Sequence, residues 1–371
     1  MKILYLTHSQ VGDRSFGGSM RANAVRDGLL SIASVDTLII HGGSAFTADV
    51  EWSASRVRGA TVSRYGASPT ALRERRMVSR WVAGIIAVER YDLIVAQYLD
   101  LALLVPRAER GRMIFDPDDF RKTPPAHASV AARMKIAARN LLARRLARQA
   151  RHVWYANPAP DQLPPTERRS FLPNVVIAPD AARPRLAAVP DRLLMVGLFA
   201  HRPNVEGLRW FHDEILPDVV ARRPGVELHV VGRCEQAIRD ALPHATFHGF
   251  VEDLAAEYDR AALVIAPIRS GGGTQIKVID AMAHGRPVLA SSFAHAGFAE
   301  DLKNDKHLLV ANSATDWIEK CVRALEQPEQ SATIADCGET IVRERYDPEH
   351  LQYLIRQTVD MLLPGRIAID G

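Results

Sequence analysis

The stretch from Leu263 to Ser292, LVIAPIRSGGGTQIKVIDAMAHGRPVLASS, restricts the fold more than any other part of the chain. It opens on a short apolar run, Leu263 to Ile268, of the kind a buried strand shows. The loop Arg269-Ser270-Gly271-Gly272-Gly273-Thr274 follows. From Gln275 to His284 apolar residues recur at Ile276, Ile279 and Met282, which is helical spacing. Gly285 reads as a helix stop, and Pro287 to Ala290 as the next strand. The order is therefore strand, glycine loop, helix, strand.

Three consecutive glycines, Gly271, Gly272 and Gly273, let the backbone approach a ligand closely and turn amides into one concavity. The start of the following helix adds a partial positive charge that suits a diphosphate. Lys277 lies in the first turn and can reach forward as a point charge. Asp280, about one turn on, can accept hydrogen bonds from hydroxyls. A tight loop capped by Thr274, with Lys277 and Asp280 solvated, fits the same spacing, and spacing alone leaves both readings open.

The stretch resembles the donor-site signature of family 4 glycosyltransferases (glycosyl transferases group 1), P-x-x-x-E, a glycine loop, then L-E-A-M-A-x-G-x-P-V. Here it reads Pro267-Ile268-Arg269-Ser270-Gly271-Gly272, then Ile279-Asp280-Ala281-Met282-Ala283-His284-Gly285-Arg286-Pro287-Val288. The resemblance implies the GT-B fold: two Rossmann-like, doubly wound parallel-sheet domains of α/β class facing a cleft. The family's paired glutamates fall on Gly272 and Asp280. Asp280 keeps the charge that would hold the nucleotide ribose, whereas Gly272 lacks the carboxylate that contacts the donor sugar. The chain is similar to a subgroup with P-N-x5-W-F and G-G-G-T-x-x-K motifs that shows this same departure.

At 371 residues the chain is long enough for two ordinary domains. No apolar run approaches the roughly 20 residues that span a bilayer, and the N-terminal MKILYLTHS reads as a strand rather than a signal peptide. A cytoplasmic protein is expected. Cys234, Cys321 and Cys337 are too few and too scattered for a disulfide framework or a zinc site. Charge is uneven: residues 1–180 hold 26 Lys and Arg against 16 Asp and Glu, residues 181–371 hold 21 against 27. A basic half suits phosphates, nucleic acid or anionic lipid.

Strands are expected at Lys2 to Thr7, Val35 to His41, Ala60 to Tyr65, Asp92 to Gln97, Met113 to Asp116 and His152 to Ala156, with helices between them. This rhythm argues for a parallel, doubly wound sheet. The loop after the first strand holds Gly17 and Gly18. It resembles the family's first glycine loop, which faces the donor diphosphate; a plain βα loop is the other reading. G-x-G-x-x-G is missing, which disfavours NAD. His8 ends the first strand and either faces the cleft or is an ordinary loop residue. Asp116-Pro117-Asp118-Asp119 looks metal-like, but the fold in which such a pair holds an ion does not match this organisation, so no metal is expected. Where the family carries a His between acceptor and donor, Asp118 or Asp119 stands here and could contact an acceptor hydroxyl; a helix N-cap is the alternative.

Two basic helices are expected at 70–88 and 130–151. The second sets Arg133, Lys135, Arg139, Arg144, Arg145, Arg148 and Arg151 among Met134, Leu141, Leu142 and Leu146. Such a helix can lie on an anionic membrane or be an outer helix with its leucines buried, the preferred reading. No aromatics interleave with the basic residues as in a single-strand nucleic-acid groove, so no nucleic acid is expected.

Residues 178–191 read as an interdomain linker. The expected domains are 1–180 on the acceptor side, 181–350 for the donor, and a C-terminal helix at 351–371 crossing back to the first. In the second, a strand ends at Gly197, and Pro203-Asn204 to Trp210-Phe211 opens a helix. Leu198 and Asn204 stand where most of the family carry phosphate-binding cations, which leaves Arg202 and Lys277 as the available charges. Gly232 ends a further strand, and the backbone of Phe250 and Val251 would hold the nucleotide base.

The resemblance implies an enzyme that moves a sugar from a nucleotide-diphosphate donor to a glycan or lipid-linked acceptor. Configuration would be retained, with no cofactor or metal. Lys277, Arg202 and loop amides would stabilise the leaving diphosphate. The absent carboxylate at Gly272 keeps two alternatives open: a GT-B module that binds nucleotide or partner without turnover, and a sugar-nucleotide epimerase or hydrolase.

Overall fold

The computed structural model describes all residues except 13–16, 44–46, 49–52, 54–55, 64–68, 118–119, 121–123, 125–127, 160–161, 181 and 368–371. Two compact units emerge from its contacts, Met1–Val175 with Pro348–Gly371, and Val176–Asp347.

The first unit runs β1 (Lys2–Thr7), α1 (Gly17–Leu30), β2 (Ser34–Gly43), β3 (Thr47–Ala48), β4 (Val57–Ser63), α2 (Pro69–Glu89), β5 (Leu93–Gln97), α3 (Leu99–Ala102), β6 (Met113–Asp116), α4 (Val130–Gln149), β7 (His152–Tyr155) and β8 (Arg169–Phe171). Its sheet order is β3-β4-β2-β1-β5-β6-β7-β8. All pairs are parallel except the short edge strand β3, which runs antiparallel to β4. The central strands are mostly apolar because helices cover both faces; β5 is buried at every position.

Under this sheet Arg21 of α1 is wholly buried. It donates to Asp116 through Nε and Nη2, to the carbonyls of Leu172 and Pro173 through Nη1, and to Asn174 Oδ1. A buried guanidinium needs such a full set of acceptors. Asp116, the first carboxylate of the metal-like run, is therefore a structural partner of Arg21. Asp118 and Asp119 lie outside the described residues.

The second unit runs β9 (Arg192–Val196), α5 (Arg202–Glu214), α6 (Leu216–Arg222), β10 (Glu227–Val231), α7 (Gln236–Asp240), β11 (Ala245–Gly249), α8 (Leu254–Arg260), β12 (Leu263–Ala266), α9 (Ile276–Ala283), β13 (Val288–Ser291), α10 (Ser292–His295), β14 (Leu309–Ala311), α11 (Ala314–Glu326) and α12 (Pro328–Arg345). The sheet, β11-β10-β9-β12-β13-β14, is parallel throughout. Trp317 of α11 is fully buried, with Trp210 and Phe211 of α5 packed edge-on at 5.9 and 5.8 Å. That contact seats α5 beside the sheet.

The last helix, α13 (Pro348–Leu362), belongs to the first unit and packs on α1. Leu351, Ile355 and Val359 join Val25 and Leu29 in one apolar cluster. Gly28 sits at the crossing: a Cβ there would stand 2.6 Å from Ile355 Cδ1.

Helix α4 corrects an expectation. Its buried face is Ala143, Leu146 and Ala147, while Leu141 and Leu142 are exposed with Val130 and Met134. Of the expected buried leucines, only Leu146 faces inward. Among the described residues, no helix is long and apolar enough to cross a membrane.

Candidate functional site

The winding of the second sheet reverses between β9 and β12: from β9 the chain moves out to β10 and β11, then returns to β12 on the other side. Loops leaving the carboxyl ends of those two strands diverge there, where α/β sheets bind ligands. Gly197 follows β9, and the loop Arg269 to Thr274 follows β12.

Close packing at this edge requires glycine. Gly232, after β10, has φ +130°, and a Cβ there would fall 1.8 Å from the Gly197 carbonyl oxygen. Gly207, in the middle of α5, lets that helix rest on the end of β12; a Cβ would meet the Pro267 carbonyl oxygen at 2.5 Å. One turn before Gly207 stands Asn204, which this contact delivers to the site.

Asn204 is buried, and its amide bridges two elements. Nδ2 donates to the Leu198 carbonyl at 2.8 Å, and Oδ1 accepts from Lys277 Nζ at 2.5 Å. The ammonium of Lys277 is thereby fixed beside Gly197, where a Cβ would lie 3.5 Å from Nζ. Burial lowers the Lys277 pKa to about 8, so the side chain is cationic at neutral pH but held in a poorly hydrated place. A cation so placed favours an incoming anion strongly.

The glycine loop has the conformation its residues permit. Gly271 and Gly273 have φ of +120° and +69°, values closed to most side chains. Gly271 lies against Pro203, at the start of α5. Gln275, not Thr274, is the N-cap residue of α9, and it makes no side-chain cap.

Asp280 is half-buried in α9. Tyr258, itself fully buried, donates to Asp280 Oδ2 at 2.9 Å and stacks on His284 at 4.7 Å. Burial raises the Asp280 pKa to about 6, against the opposing pull of the Tyr258 hydrogen bond. A carboxylate kept in such surroundings is a strong acceptor for hydroxyls.

Other expected residues fall differently. Arg202 is well exposed and pairs with Glu206 one turn along α5, Nε to Oε1 at 2.6 Å. Phe250, just past β11, is 70% exposed, with the Arg233 guanidinium 5.7 Å from its ring centre; Val251 beside it packs partly on the core. Gly17 and Gly18 open α1 of the first unit.

Three participants escape a linear reading. Asn204, read as a missing cation, is the partner of Lys277. Tyr258 reaches Asp280 across 22 positions. Glu206 accepts from Ser270 Oγ at 3.1 Å, which brings a carboxylate to the loop where Gly272 has none. Only the P-N spacing near the loop signalled the first.

Comparison with known proteins bears on the fold and on the second unit. Residues 190–327 match the family model described as Glycosyl transferases group 1. An uncharacterized 44.6 kDa protein in the cps region of Klebsiella pneumoniae is 24% identical over 166 residues, 42% of this chain and 42% of that protein. The match thus spans less than half the length of that curated relative. Among solved structures, sucrose-phosphate synthase from Thermosynechococcus elongatus superposes with a TM-score of 0.72 at 16% identity, covering 98% of this chain and 99% of that one. A glycosyltransferase from Rickettsia africae gives 0.68 at 12%, covering 98% and 99%. Anabaena HepE, solved in complex with UDP, gives 0.66 at 16%, covering 97% and 100%. The fold is GT-B, and residues 190–327 are similar to the Glycosyl transferases group 1 model.

Proposed function

We propose that the chain is a glycosyltransferase that moves a sugar from a nucleoside-diphosphate donor to a glycan or lipid-linked acceptor. The observation that carries this reading is the Lys277–Asn204 pair at the β9/β12 reversal, beside a loop of three glycines. Departure of the diphosphate concentrates negative charge, and a preorganised cation with backbone amides stabilises that charge as it develops. Lys277 would take this role without a metal, and Asp280 would accept from the ribose hydroxyls. Configuration would be retained, as the resemblance implies. UDP is the first nucleotide to try, since HepE was solved with it.

Calorimetric titration with UDP, GDP, ADP and TDP tests the site in wild type and Lys277→Ala. One nucleotide that binds wild type and not the variant supports it. Binding of none, or equal binding by both proteins, overturns it.

Gly272 favours a second reading, a module that holds nucleotide without transferring sugar. Glu206 beside Ser270 counts against it. Donor turnover separates the two: transfer or isomerisation of the sugar, or nothing.

The reading places the protein in the cytoplasm at the inner face of the membrane, making surface polysaccharide or glycoconjugate. Its support is α4. Val130, Met134 and Leu141 recur at intervals of four and seven on the side away from buried Ala143 and Leu146, and Arg144, Arg145 and Arg148 follow them. An apolar stripe continued by cations fits an anionic lipid surface. Wild type should sediment with phosphatidylglycerol vesicles, and Arg144→Gln/Arg145→Gln/Arg148→Gln should not. A wild type that stays in the supernatant removes the membrane from the proposal.

A further inference from the structure

The first sheet has its own reversal, between β1 and β5. From β1 the chain moves to β2 on one side, and α2 returns it to β5 on the other. The loops leaving β1 and β5 part at this point, the kind of place where α/β sheets take ligands. Thr7 and Gln97 end the two strands here: both are buried, and the Thr7 hydroxyl donates to Gln97 Oε1 at 2.7 Å. The residues next along the chain, His8 and Tyr98, meet Asp100 at this edge, and the donor-site reading uses none of the three.

His8 is held from two sides. Nδ1 donates to the Ile40 carbonyl and Nε2 to Asp100 Oδ2, each at 2.6 Å. Both partners are acceptors, a set that suits the doubly protonated ring. Burial opposes that charge, but the bonds to Asp100 and Ile40 prevail and hold the His8 pKa above its ordinary value. In that form His8 has donors at both ring nitrogens. It is a clamp that ties β1 to β2 and orients the Asp100 carboxylate, and both side chains keep more than a quarter of their surface in solvent.

Tyr98 stacks on His8, ring centres 5.4 Å apart and 23° from parallel. Its backbone lies at φ 64° and ψ 153°, a region almost reserved for glycine. Its N–H donates to the Asp116 carbonyl at 2.8 Å, and its carbonyl accepts from the Ala102 N–H at 3.1 Å. Asp116 is itself locked by buried Arg21. A tyrosine kept where the backbone favours glycine contributes its ring, and residues so held cluster at ligand sites.

We infer that His8, Tyr98 and Asp100 form a binding subsite for a glycosyl group with free hydroxyls, the acceptor end of the transfer. Asp100 accepts from the sugar hydroxyls, and the Tyr98 ring packs against the C–H face of the sugar. His8 is a positioning residue that acts through Asp100. The inference rests on the glycosyltransferase reading, because only that reading calls for a sugar here.

Saturation-transfer NMR on the full chain tests it. The probes are the methyl glycosides of glucose, galactose, mannose and N-acetylglucosamine, applied to wild type, Asp100→Asn and His8→Gln. At least one glycoside should bind wild type, and its affinity should fall about tenfold in each variant, the loss of a charge-assisted hydrogen bond. Calorimetric titration with UDP, GDP, ADP and TDP should be the same for all three proteins. No glycoside signal with wild type, or equal signals in the variants, overturns the subsite and leaves the donor site standing. Joint loss of nucleotide and glycoside in both variants also overturns it, since these residues would then act on the fold. Glycoside binding without nucleotide binding in wild type would keep the subsite and remove the donor reading.

Discussion

Replacing Asp280 by asparagine tests the donor site through stability, before any ligand is added. Burial raises the Asp280 pKa to about 6, while a free aspartate stands at 3.8. An acid whose folded pKa lies above its unfolded one binds more protons when folded. Stability therefore falls as pH rises from about 4 to about 6, and the whole penalty is present above 6. The gap is worth about 3 kcal/mol, and water reaching the half-buried carboxylate takes this to about 2 kcal/mol. Asparagine keeps an oxygen for the Tyr258 hydroxyl, so the variant sheds the penalty and retains the bond. At pH 8 its stability should rise by about 2 kcal/mol, or Tm by about 5 °C. At pH 5 the gain should shrink to about half, since there the folded carboxyl is already protonated.

Thermal and urea melts of the two proteins at pH 5 and pH 8 measure this. Equal stability at pH 8, or a gain that ignores pH, would refute the buried-charge argument. Calorimetry on the same variant adds the functional half: nucleoside diphosphate affinity should drop about tenfold if the carboxylate holds ribose hydroxyls. Stability gained and binding lost by one substitution mark a residue retained for its ligand.

Three further outcomes are expected. Lys277, with its pKa lowered to about 8, binds an anion only as the ammonium, so nucleotide affinity should fall about twofold from pH 7 to 8 and approach a tenfold fall per pH unit above that; in Lys277→Ala this dependence should vanish from the calorimetric series. Gly232→Ala would force a methyl group 1.8 Å from the Gly197 carbonyl oxygen at φ +130°, and urea melts should show a loss of about 3 kcal/mol or more. Arg21→Met strands the buried Asp116 carboxylate and should lose about 3 to 5 kcal/mol in the same melts, with Asp116→Asn on top restoring part of it.

Much of the fold was legible because it rests on local pattern. Apolar runs such as Leu93 to Ala96 and Leu263 to Ala266 are buried throughout, as strands covered on both faces must be. The short strands were not legible: β3 has two residues and β8 and β14 have three each, too few for a period to show. Helix α4 failed for another reason. Its sequence offers apolar residues on two sides, and a reading that counts leucines picks the wrong one. Small alanines, Ala143, Ala147 and Ala150, let α4 approach its neighbours, and Leu146 alone supplies bulk on that face.

The candidate site divides along the same line between local and distant. Glycine, lysine and aspartate within ten positions could be read together, because one loop and one helix carry them. Their settings could not, because each is made from far along the chain. Asn204 meets Lys277 across 73 positions, and Ser270 meets Glu206 across 64. Sequence spacing therefore identifies the charged groups but not which of them stays available to a ligand. Arg202 shows the consequence. Beside a phosphate loop it reads as a second cation, yet it is exposed and engaged with Glu206, where water screens its charge. Lys277, set deeper and paired with a neutral amide rather than a carboxylate, is the cation on which the proposed diphosphate site would rely. If both cations served equally, Arg202→Ala and Lys277→Ala would weaken nucleotide binding alike. The structure ranks them: Lys277→Ala should lose measurable binding in calorimetry, and Arg202→Ala should change affinity by less than about fivefold.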